Sequence, residues 1–136
     1  MRTILFSAMM LVASIASAQN KLTVVVDGIE KSSGHIIVAV YDSINFLKQT
    51  LYYGMAKVEE DAEEVTIIIE NVASGNYAVS VIHDENDNKQ LDSGAYGIPL
   101  EKYGFSNNAR GEMGPPKFQD CMITVEEDSE INITVK

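Results

Sequence analysis

Four oxygen-bearing side chains recur at alternate positions in one short acidic stretch of the chain. They occupy the first, third, fifth and ninth positions of a calcium-type loop and are Asp84, Asn86, Asn88 and Asp92. Calcium takes about six to eight hard oxygen ligands, and alternate residues of a curling loop can direct their oxygens at one centre. A backbone carbonyl, such as that of Gln90, would supply the seventh position. The spacing predicts a weak calcium site, because only two of the side-chain ligands are negatively charged.

Two departures from the calcium-loop pattern leave a second interpretation open. The sixth position usually carries glycine for a sharp turn, and here it is Lys89. The twelfth usually carries a bidentate glutamate, and here it is Ala95. The same aspartates and asparagines could instead form Asx turns, in which each side chain bonds to nearby backbone. From the sequence, the 84–92 segment is either a weak cation site or a network of such turns.

Aromatic and amide side chains cluster a few residues farther along the chain. Ring faces can stack on a sugar or a peptide, and amides can hydrogen-bond to it. The candidate ligand-binding residues are Tyr96, Tyr103, Phe105, Asn107 and Asn108. Such residues can also pin a long loop onto the domain. A glycan- or peptide-binding site and plain loop packing are therefore both open.

Residue combinations that mark a complete catalytic site are absent from the sequence. It has no Gly-x-Ser-x-Gly elbow, no His-Glu-x-x-His pair for zinc and no Cys-x-x-Cys motif. His35 and His83 are far apart and are interpreted as structural residues. The only cysteine, Cys121, is interpreted as a buried apolar filler, with a reactive thiol as the alternative. These features favour a non-enzymatic module over a hydrolase with an unrecognised carboxylate site.

The elements that must position these residues show a hydrophobic period of two. Alternating apolar residues cover the segments 22–26, 65–69, 77–83, 121–125 and 131–135. A continuous apolar run over 35–41 predicts a central strand that is covered on both faces, and a weak strand is expected near 55–58. Together these predict an all-β fold: a single antiparallel β-sandwich of about seven strands, immunoglobulin-like or transthyretin-like.

Two of the connections carry recognisable turn residues. The segment 27–34 predicts a hairpin, and 71–76 predicts a turn that ends just before Tyr77. A tyrosine in this place resembles the one that anchors a corner of immunoglobulin-like sandwiches. Gly75-Asn76-Tyr77-Ala78-Val79 also resembles turns of transthyretin-like and carboxypeptidase-regulatory sandwiches, a likeness that concerns fold only.

Two other connections interrupt the alternation. The segment 42–48 predicts a short helical turn that places Phe46 or Leu47 over an open edge of the core. Residues 84–117 are irregular and hold all three prolines of the chain. A stretch of this length in a compact domain is typically functional or disordered, and its aromatic residues argue against disorder.

The first 18 residues have the composition of a secretory signal peptide. Arg2 precedes an apolar run, and Ala16-Ser17-Ala18 matches the small-x-small pattern that signal peptidase accepts. Cleavage after residue 18 leaves 19–136 as a single β-sandwich domain. The pattern predicts an exported protein, periplasmic or secreted, with no transmembrane segment after cleavage. An uncleaved anchor is the less favoured alternative, because a bilayer span needs about 20 apolar residues.

The chain is strongly acidic, with a net charge of −10 at pH 7. Loss of residues 1–18, whose only charge is Arg2, changes this value to −11. A surface of this sign repels phosphate backbones and anionic lipids, so nucleic acid is not expected as a partner. It attracts cations, although acidity can serve solubility alone. The partners that remain are a glycan or a protein at the cell surface.

Several motifs, taken in order, resemble one bacterial protein family. They are His83-Asp84-Glu85-Asn86, Leu91-Asp92, Gly97-Ile98-Pro99, Tyr103-Gly104-Phe105-Ser106-Asn107-Asn108 and Gly114-Pro115-Pro116-Lys117-Phe118. The chain resembles bacterial exported proteins of domain of unknown function (DUF) family 2141 over nearly all of its length after residue 18. The resemblance implies an exported single-domain protein without an established activity. In that family's pattern a glycine stands at the position of Lys89, and this departure counts against a cation site here.

Overall fold

Two packed β-sheets make up the part of the chain that the computed structural model describes, residues 18–136. The predicted signal peptide therefore lies outside the described residues, apart from Ala18. The strands are β1 (Gln19–Asp27), β2 (His35–Tyr41), β3 (Tyr52–Lys57), β4 (Glu64–Ala73), β5 (Gly75–Asp84), β6 (Tyr103–Phe105), β7 (Ile123–Val125) and β8 (Ser129–Thr134). Helical structure is limited to α1 (Phe118–Cys121) and two single turns of 3₁₀-helix, Ala95–Gly97 and Ser106–Asn108. Within 18–136, no helix is long and apolar enough to cross a membrane.

The smaller sheet has the strand order β4-β1-β8, and the larger has the order β3-β2-β5-β6, with β7 also paired to β5. The prediction of an all-β sandwich is confirmed. Neighbouring strands are antiparallel except β1 and β8, which run parallel. This pair arises because β7 lies beside β5 in the larger sheet, so the chain changes sheets before β8 and enters alongside β1.

The core lies between the sheets and is built from the alternating residues of the sequence. On β5, the predicted inward residues Tyr77, Val79 and Val81 are all buried. On β1 and β4 the same alternation buries Leu22, Val24, Val26, Val65, Ile67 and Ile69. The Tyr77 hydroxyl donates a hydrogen bond of 2.7 Å to the Ala73 carbonyl, as in the tyrosine corner of immunoglobulin-like sandwiches.

Two of the predicted connections are wrong. The 27–34 segment is not a hairpin, because β1 and β2 belong to different sheets and this segment crosses between them. The predicted 71–76 turn is mostly strand, because β4 continues to Ala73 and β5 begins at Gly75. Asn71 is absorbed as a β-bulge in β4, with a left-handed φ of 60° that asparagine tolerates.

The strand predicted over 121–125 is also too long. Cys121 ends helix α1, and β7 begins only at Ile123. The side chain is nevertheless fully buried, in a small second cluster on the outer face of the larger sheet together with Ala78 and Phe105. Over so few residues, a buried helical turn and the end of a strand show the same spacing of apolar residues, so the sequence pattern could not distinguish them.

The predicted helical turn over 42–48 places Phe46, not Leu47, against the domain. The Asp42 carboxylate accepts a hydrogen bond of 2.8 Å from the Asn45 backbone N–H and so caps the turn. The Phe46 ring meets those of Tyr41, Phe105 and Phe118 edge to face, whereas the side chain of Leu47 is exposed.

The irregular 84–117 stretch contains a short strand that the sequence pattern does not reveal. β6 pairs with β5, and its three residues are too few to show alternation. Gly104 allows β6 to approach β8, because a Cβ there would stand 2.8 Å from the Ile133 side chain and 2.9 Å from the Thr134 carbonyl oxygen. The strand divides the stretch into two loops, and both contribute to the candidate sites.

Candidate functional site

The acidic loop brings together the four side chains that the sequence predicts as calcium ligands. Asp84 ends β5 and is almost fully buried, and its carboxylate accepts hydrogen bonds from the backbone N–H groups of Asn88 (3.2 Å) and Lys89 (2.7 Å). The Asp92 carboxylate accepts one bond from each side-chain amide of Asn86 and Asn88, both 2.5 Å long. The Asn86 and Asn88 side chains therefore meet Asp92 through their amide N–H groups, while the Asp84 carboxylate faces the backbone of the loop.

The backbone of this loop curls tightly. Lys89, at the position where a calcium loop usually has glycine, has a left-handed φ of 61°, and Asp87 has one of 59°. The Asn86 and Asn88 side-chain oxygens accept the N–H groups of Asn88 (3.3 Å) and Gln90 (3.0 Å). These bonds are Asx turns, and they produce the glycine-like curl without a glycine.

The acidic side chains between the four predicted ligands, Glu85 and Asp87, point away from those ligands. Glu85 forms an ion pair of 2.7 Å with Lys31, and Asp87 lies 2.5 Å from the Nδ1 atom of His35. Over residues 18–136, no three His, Cys, Asp or Glu side chains lie close enough together to hold a metal ion. A cation here would depend on two carboxylates supplemented by amide and backbone oxygens.

Glu101 is a buried acidic residue that the sequence reasoning missed. Its side chain is 8% exposed. One carboxylate oxygen accepts the Glu85 backbone N–H (3.0 Å) and the other accepts that of Asp92 (3.1 Å). Glu101 thus joins the two ends of the acidic loop. No periodicity surrounds it in the sequence, so nothing there marks it as buried.

A groove of about 710 Å³ lies beside the acidic loop. The 91–99 segment, the 111–115 segment and β6 all contribute to its lining. Three of the predicted ligand-binding residues line it: Tyr96, Tyr103 and Phe105. The remaining lining residues are Leu47, Leu91, Ser93, Gly97, Ile98, Pro99, Gly111, Glu112, Met113, Gly114 and Pro115. The groove is therefore mainly apolar and aromatic.

The other two predicted ligand-binding residues hold the loop in place instead of lining the groove. The Asn107 amide donates to the carbonyls of Asp120 (3.2 Å) and Met122 (3.0 Å). The Asn108 side-chain oxygen accepts the Thr134 backbone N–H at 2.9 Å. Of the aromatic and amide residues in this stretch, Asn107, Asn108 and the buried Phe105 take part in loop packing, while Tyr96 is fully exposed on the groove lining.

The acidic loop and the groove share one segment of chain. The Leu100 backbone N–H donates to the Asp92 carbonyl at 2.7 Å, and that of Gly94 donates to Ile98 at 2.8 Å, so the segment folds back on itself. Leu91 and Ser93, on either side of Asp92, both line the groove. The position of the groove wall therefore depends on how the acidic loop holds Asp92.

His83 and Cys121 are both fully buried, whereas His35 is half-buried beside Asp87. His83 is fully buried, with its Nε2 atom 2.8 Å from the Ser33 carbonyl oxygen, while its Nδ1 atom has no hydrogen-bond partner in the described structure. Burial, assisted by the nearby charge of Asp120, raises the pKa of the Cys121 thiol to about 11. The thiol is therefore protonated at neutral pH, which suits a filler and not a nucleophile.

A family model described as "Uncharacterized protein conserved in bacteria (DUF2141)" matches residues 24–134, which include all eight strands except part of β1. The chain belongs to the DUF2141 family. The resemblance seen in the sequence motifs is thereby confirmed. Comparisons with curated proteins and with solved structures gave no match. The acidic loop and all of the groove lining lie within the DUF2141 region.

Proposed function

We propose that this DUF2141 protein is an exported binding module and that its groove takes an apolar peptide segment of a partner protein. The observation that carries the proposal is the groove of about 710 Å³ with aromatic rings on its lining. Its size falls in the range of about 300–1,000 Å³ that is typical of ligand pockets. The module needs no catalytic group, since its chemistry is recognition.

Exposure of large apolar side chains around the groove supports a binding role. Tyr96 in the 91–99 segment and Met113 in the 111–115 segment are both fully exposed, and Ile98 is 63% exposed. Grouped apolar exposure of this kind lowers solubility and is typical of interaction surfaces. A partner segment lying in the groove would remove these side chains from water. This burial would stabilise the complex by roughly 25 cal/mol for each Å² of apolar surface buried.

The lining favours a peptide over a glycan. Sugar recognition needs several hydrogen-bonding side chains, and the Asn107 and Asn108 amides that the sequence offered are engaged with backbone groups elsewhere. Apart from its tyrosine hydroxyls, the described lining has only Ser93 and Glu112 as polar side chains. Aromatic and aliphatic contacts are the main recognition chemistry that remains.

Selection from a random peptide display library tests this function. We expect the library to contain peptides that bind the purified protein. Their affinity should fall at least about tenfold, or about 1.4 kcal/mol of binding free energy, when the protein carries Tyr96→Ala or Met113→Ser. Both side chains are fully exposed, so the fold should tolerate these changes. Tyr53→Ala is the matched control, because Tyr53 is exposed on β3, at the far edge of the larger sheet from β6. Peptide affinities that are unchanged by Tyr96→Ala and Met113→Ser would contradict the proposal.

A second candidate function is weak calcium binding by the 84–92 loop. It is supported by the convergence of the Asp84, Asn86, Asn88 and Asp92 side chains, with Glu85 and Asp87 directed outward to Lys31 and His35. An ion would replace the two amide bonds to Asp92, which keeps the affinity low. Isothermal titration with calcium chloride tests it, with magnesium chloride as the comparison and Asp92→Ala as the inactive variant. If titration of calcium into the unaltered protein released or absorbed no heat of binding, this candidate function would be refuted.

A further inference from the structure

One side of the sandwich ends in β3 and β4, whose outer edges have no hydrogen-bonded neighbouring strand within residues 18–136. On the opposite side, two backbone hydrogen bonds between Tyr103 and Lys136 tie β6 to the end of the chain. An open strand edge is a template on which another chain can pair. The exposed Glu64 and Glu70 and the bulge at Asn71 protect β4 against such pairing, whereas β3 has neither a carboxylate nor a bulge.

The backbone of β3 identifies the groups that face its open edge. The Val58 N–H donates to the Gly34 carbonyl at 3.0 Å, which continues the register of β3 with β2. In an antiparallel pair every second residue bonds to the partner strand, and the residues between them direct their N–H and C=O groups to the other edge. Counted back from Val58, these intervening residues are Tyr53, Met55 and Lys57.

The side chains of the same three residues form a row on the outer face of the larger sheet. Tyr53 is 55% exposed and Met55 is 43% exposed, and the Tyr53 hydroxyl donates to the Met55 Sδ atom at 3.4 Å. Lys57 is also exposed, and it forms no ion pair within residues 18–136. A strand that paired here would gain backbone hydrogen bonds, cover two apolar side chains and meet one cation.

This row is complementary to a second copy of itself. If two β3 strands pair antiparallel about a twofold axis at Met55, the two Met55 residues are directly opposite each other and each Lys57 is opposite Tyr53 of the other copy. Every one of these opposed pairs can exchange two backbone hydrogen bonds, because all of the residues direct their N–H and C=O groups to the open edge. A lysine beside a tyrosine ring also gains a cation–π interaction.

The neighbouring registers are less favourable. An axis at Lys57 would place two like charges directly opposite each other. An axis at Tyr53 would place Met55 opposite Leu51, whose backbone N–H already donates to the Val40 carbonyl at 2.8 Å. Charge and the available backbone groups therefore both select the register centred on Met55.

The same register keeps like charges apart. Because each Lys57 lies opposite Tyr53 of the other copy, the two lysines are about 13 Å apart along the strands. The acidic turn over 59–63 follows Lys57 at the outer end of each strand. The two acidic turns are therefore farther apart still, beyond the Debye length of about 8 Å at physiological salt.

We infer that a second copy of this chain pairs with β3 along its open edge, antiparallel and centred on Met55, so that the larger sheets of the two copies join into one. This interaction surface is separate from the groove, because β3 and β6 are at opposite edges of the larger sheet. The inference does not depend on peptide binding. Both grooves of such a dimer stay open, so the dimer would present two binding sites to a multivalent partner.

Sedimentation velocity over a range of protein concentrations tests the pairing. We expect a monomer–dimer equilibrium for the unaltered protein. The dissociation constant should be at least about tenfold higher for Met55→Glu, because this change places two carboxylates directly opposite each other. Leu100→Glu is the matched control and should leave the constant unchanged, because Leu100 is 71% exposed and precedes β6 at the opposite edge of the sheet.

Engineered cysteines test the register. Opposed Cα atoms in a hydrogen-bonded antiparallel pair are about 5.5 Å apart, within the range of about 4.4–6.8 Å that a disulfide allows. Met55→Cys should therefore form a disulfide-linked dimer on air oxidation. Tyr53→Cys alone should not, but its mixture with Lys57→Cys should. The unaltered protein is the control, because its only cysteine, Cys121, is fully buried.

The inference commits to both the surface and the register, so either experiment can overturn it. A single monomeric species up to millimolar protein concentration would do so, as would a dimer that Met55→Glu does not weaken. Disulfide formation by Tyr53→Cys alone and not by Met55→Cys would also overturn it. None of these results bears on the proposed function, which Tyr96→Ala and Met113→Ser test separately.

Discussion

Individual carboxylates in the acidic loop have separate roles that mutation can resolve. Asp84 is buried, and its carboxylate accepts hydrogen bonds from two backbone N–H groups. Asp92 accepts hydrogen bonds from two side-chain amides. Glu85 forms an exposed ion pair with Lys31, and Asp87 lies at hydrogen-bond distance from His35. Removing Asp84 would break its hydrogen bonds to the exposed residues Asn88 and Lys89, at a net cost of about 0.5–1.5 kcal/mol for each bond. Removing Glu85 costs little, because exposed ion pairs contribute about 0–1 kcal/mol.

The first prediction concerns calcium binding by Asp84, Asn86, Asn88 and Asp92. Calcium at ten times its dissociation constant should stabilise the protein by about 1.4 kcal/mol. Asp84→Ala and Asp92→Ala should each abolish this gain, while Glu85→Ala and Asp87→Ala should retain it because those side chains point outward. Calorimetric unfolding in calcium and in chelator measures the difference. Equal stability in both solutions for every variant would leave the loop as Asx turns alone.

The second prediction concerns a single core position. Val79 is fully buried between the sheets, so Val79→Asp places a carboxylate where it has no partner. We expect a loss of several kcal/mol, a large part of the roughly 5–15 kcal/mol typical of a domain. Ile68→Asp on β4 is the control, since Ile68 is 53% exposed and should change stability little. Urea denaturation compares the two; similar midpoints would contradict the assignment of the strand faces.

At the scale of elements, the corner between β4 and β5 joins the two sheets. Tyr77 lies in β5 of the larger sheet, and its hydroxyl reaches the carbonyl of Ala73 at the end of β4 in the smaller one. The Tyr52 ring packs on that of Tyr77 at 5.8 Å, and the Tyr52 hydroxyl accepts the Ala73 backbone N–H at 3.1 Å. The corner thus satisfies both backbone groups of Ala73.

The third prediction tests this corner by mutation and by pH. Tyr77→Phe should cost about 1 kcal/mol, the usual net value of one hydrogen bond, whereas Tyr53→Phe on the exposed face should cost nothing measurable. Burial, with contributions from Tyr52 and Asp42, raises the pKa of Tyr77 from 10 to about 12. A raised pKa in the folded state means that this stabilisation is complete below pH 10 and is lost as the pH approaches 12. Between pH 10 and pH 12 the free energy of unfolding should therefore fall less steeply in Tyr77→Phe than in the unaltered protein. Parallel pH profiles for the two proteins would contradict this role of Tyr77.

At the scale of the whole molecule, export remains a proposal that rests on residues 1–18. Arg2, the apolar run and Ala16-Ser17-Ala18 support it. The described β-sandwich is compatible with cleavage after Ala18, because β1 begins at the next residue, Gln19. Cleavage at that point would leave the first strand intact.

The fourth prediction follows from this arrangement. N-terminal sequencing of protein collected outside the cytoplasm should begin at Gln19 or within one or two residues of it. Ala18→Leu should slow processing, because signal peptidase accepts a small residue there. Ser17→Leu is the control, since the middle position of the small-x-small pattern is not restricted. Intact Met1 in exported material would show that the segment is not cleaved.

The local periodicity of the sequence by itself determined the longer strands and their faces, although not the short strand β6 or the start of β7. A period of two places Leu22, Val24 and Val26 on one side of β1 regardless of its neighbours, so burial could be predicted before the sheets were known. The spacing of Asp84, Asn86 and Asn88 likewise predicted a curled loop of Asx turns, because such turns form between near neighbours. The motif order sufficed to identify the family.

Only the tertiary structure decided which strands pair and which side chains meet across the loops. Alternation does not say that β1 and β2 lie in different sheets or that β8 runs parallel to β1, because pairing is a choice among distant segments with similar patterns. The groove likewise required the 111–115 segment to join the 91–99 segment in one lining, and the burial of Glu101 required Glu85 and Asp92 to present their N–H groups to it. These contacts depend on how long loops pack on the finished sandwich, which local periodicity does not record.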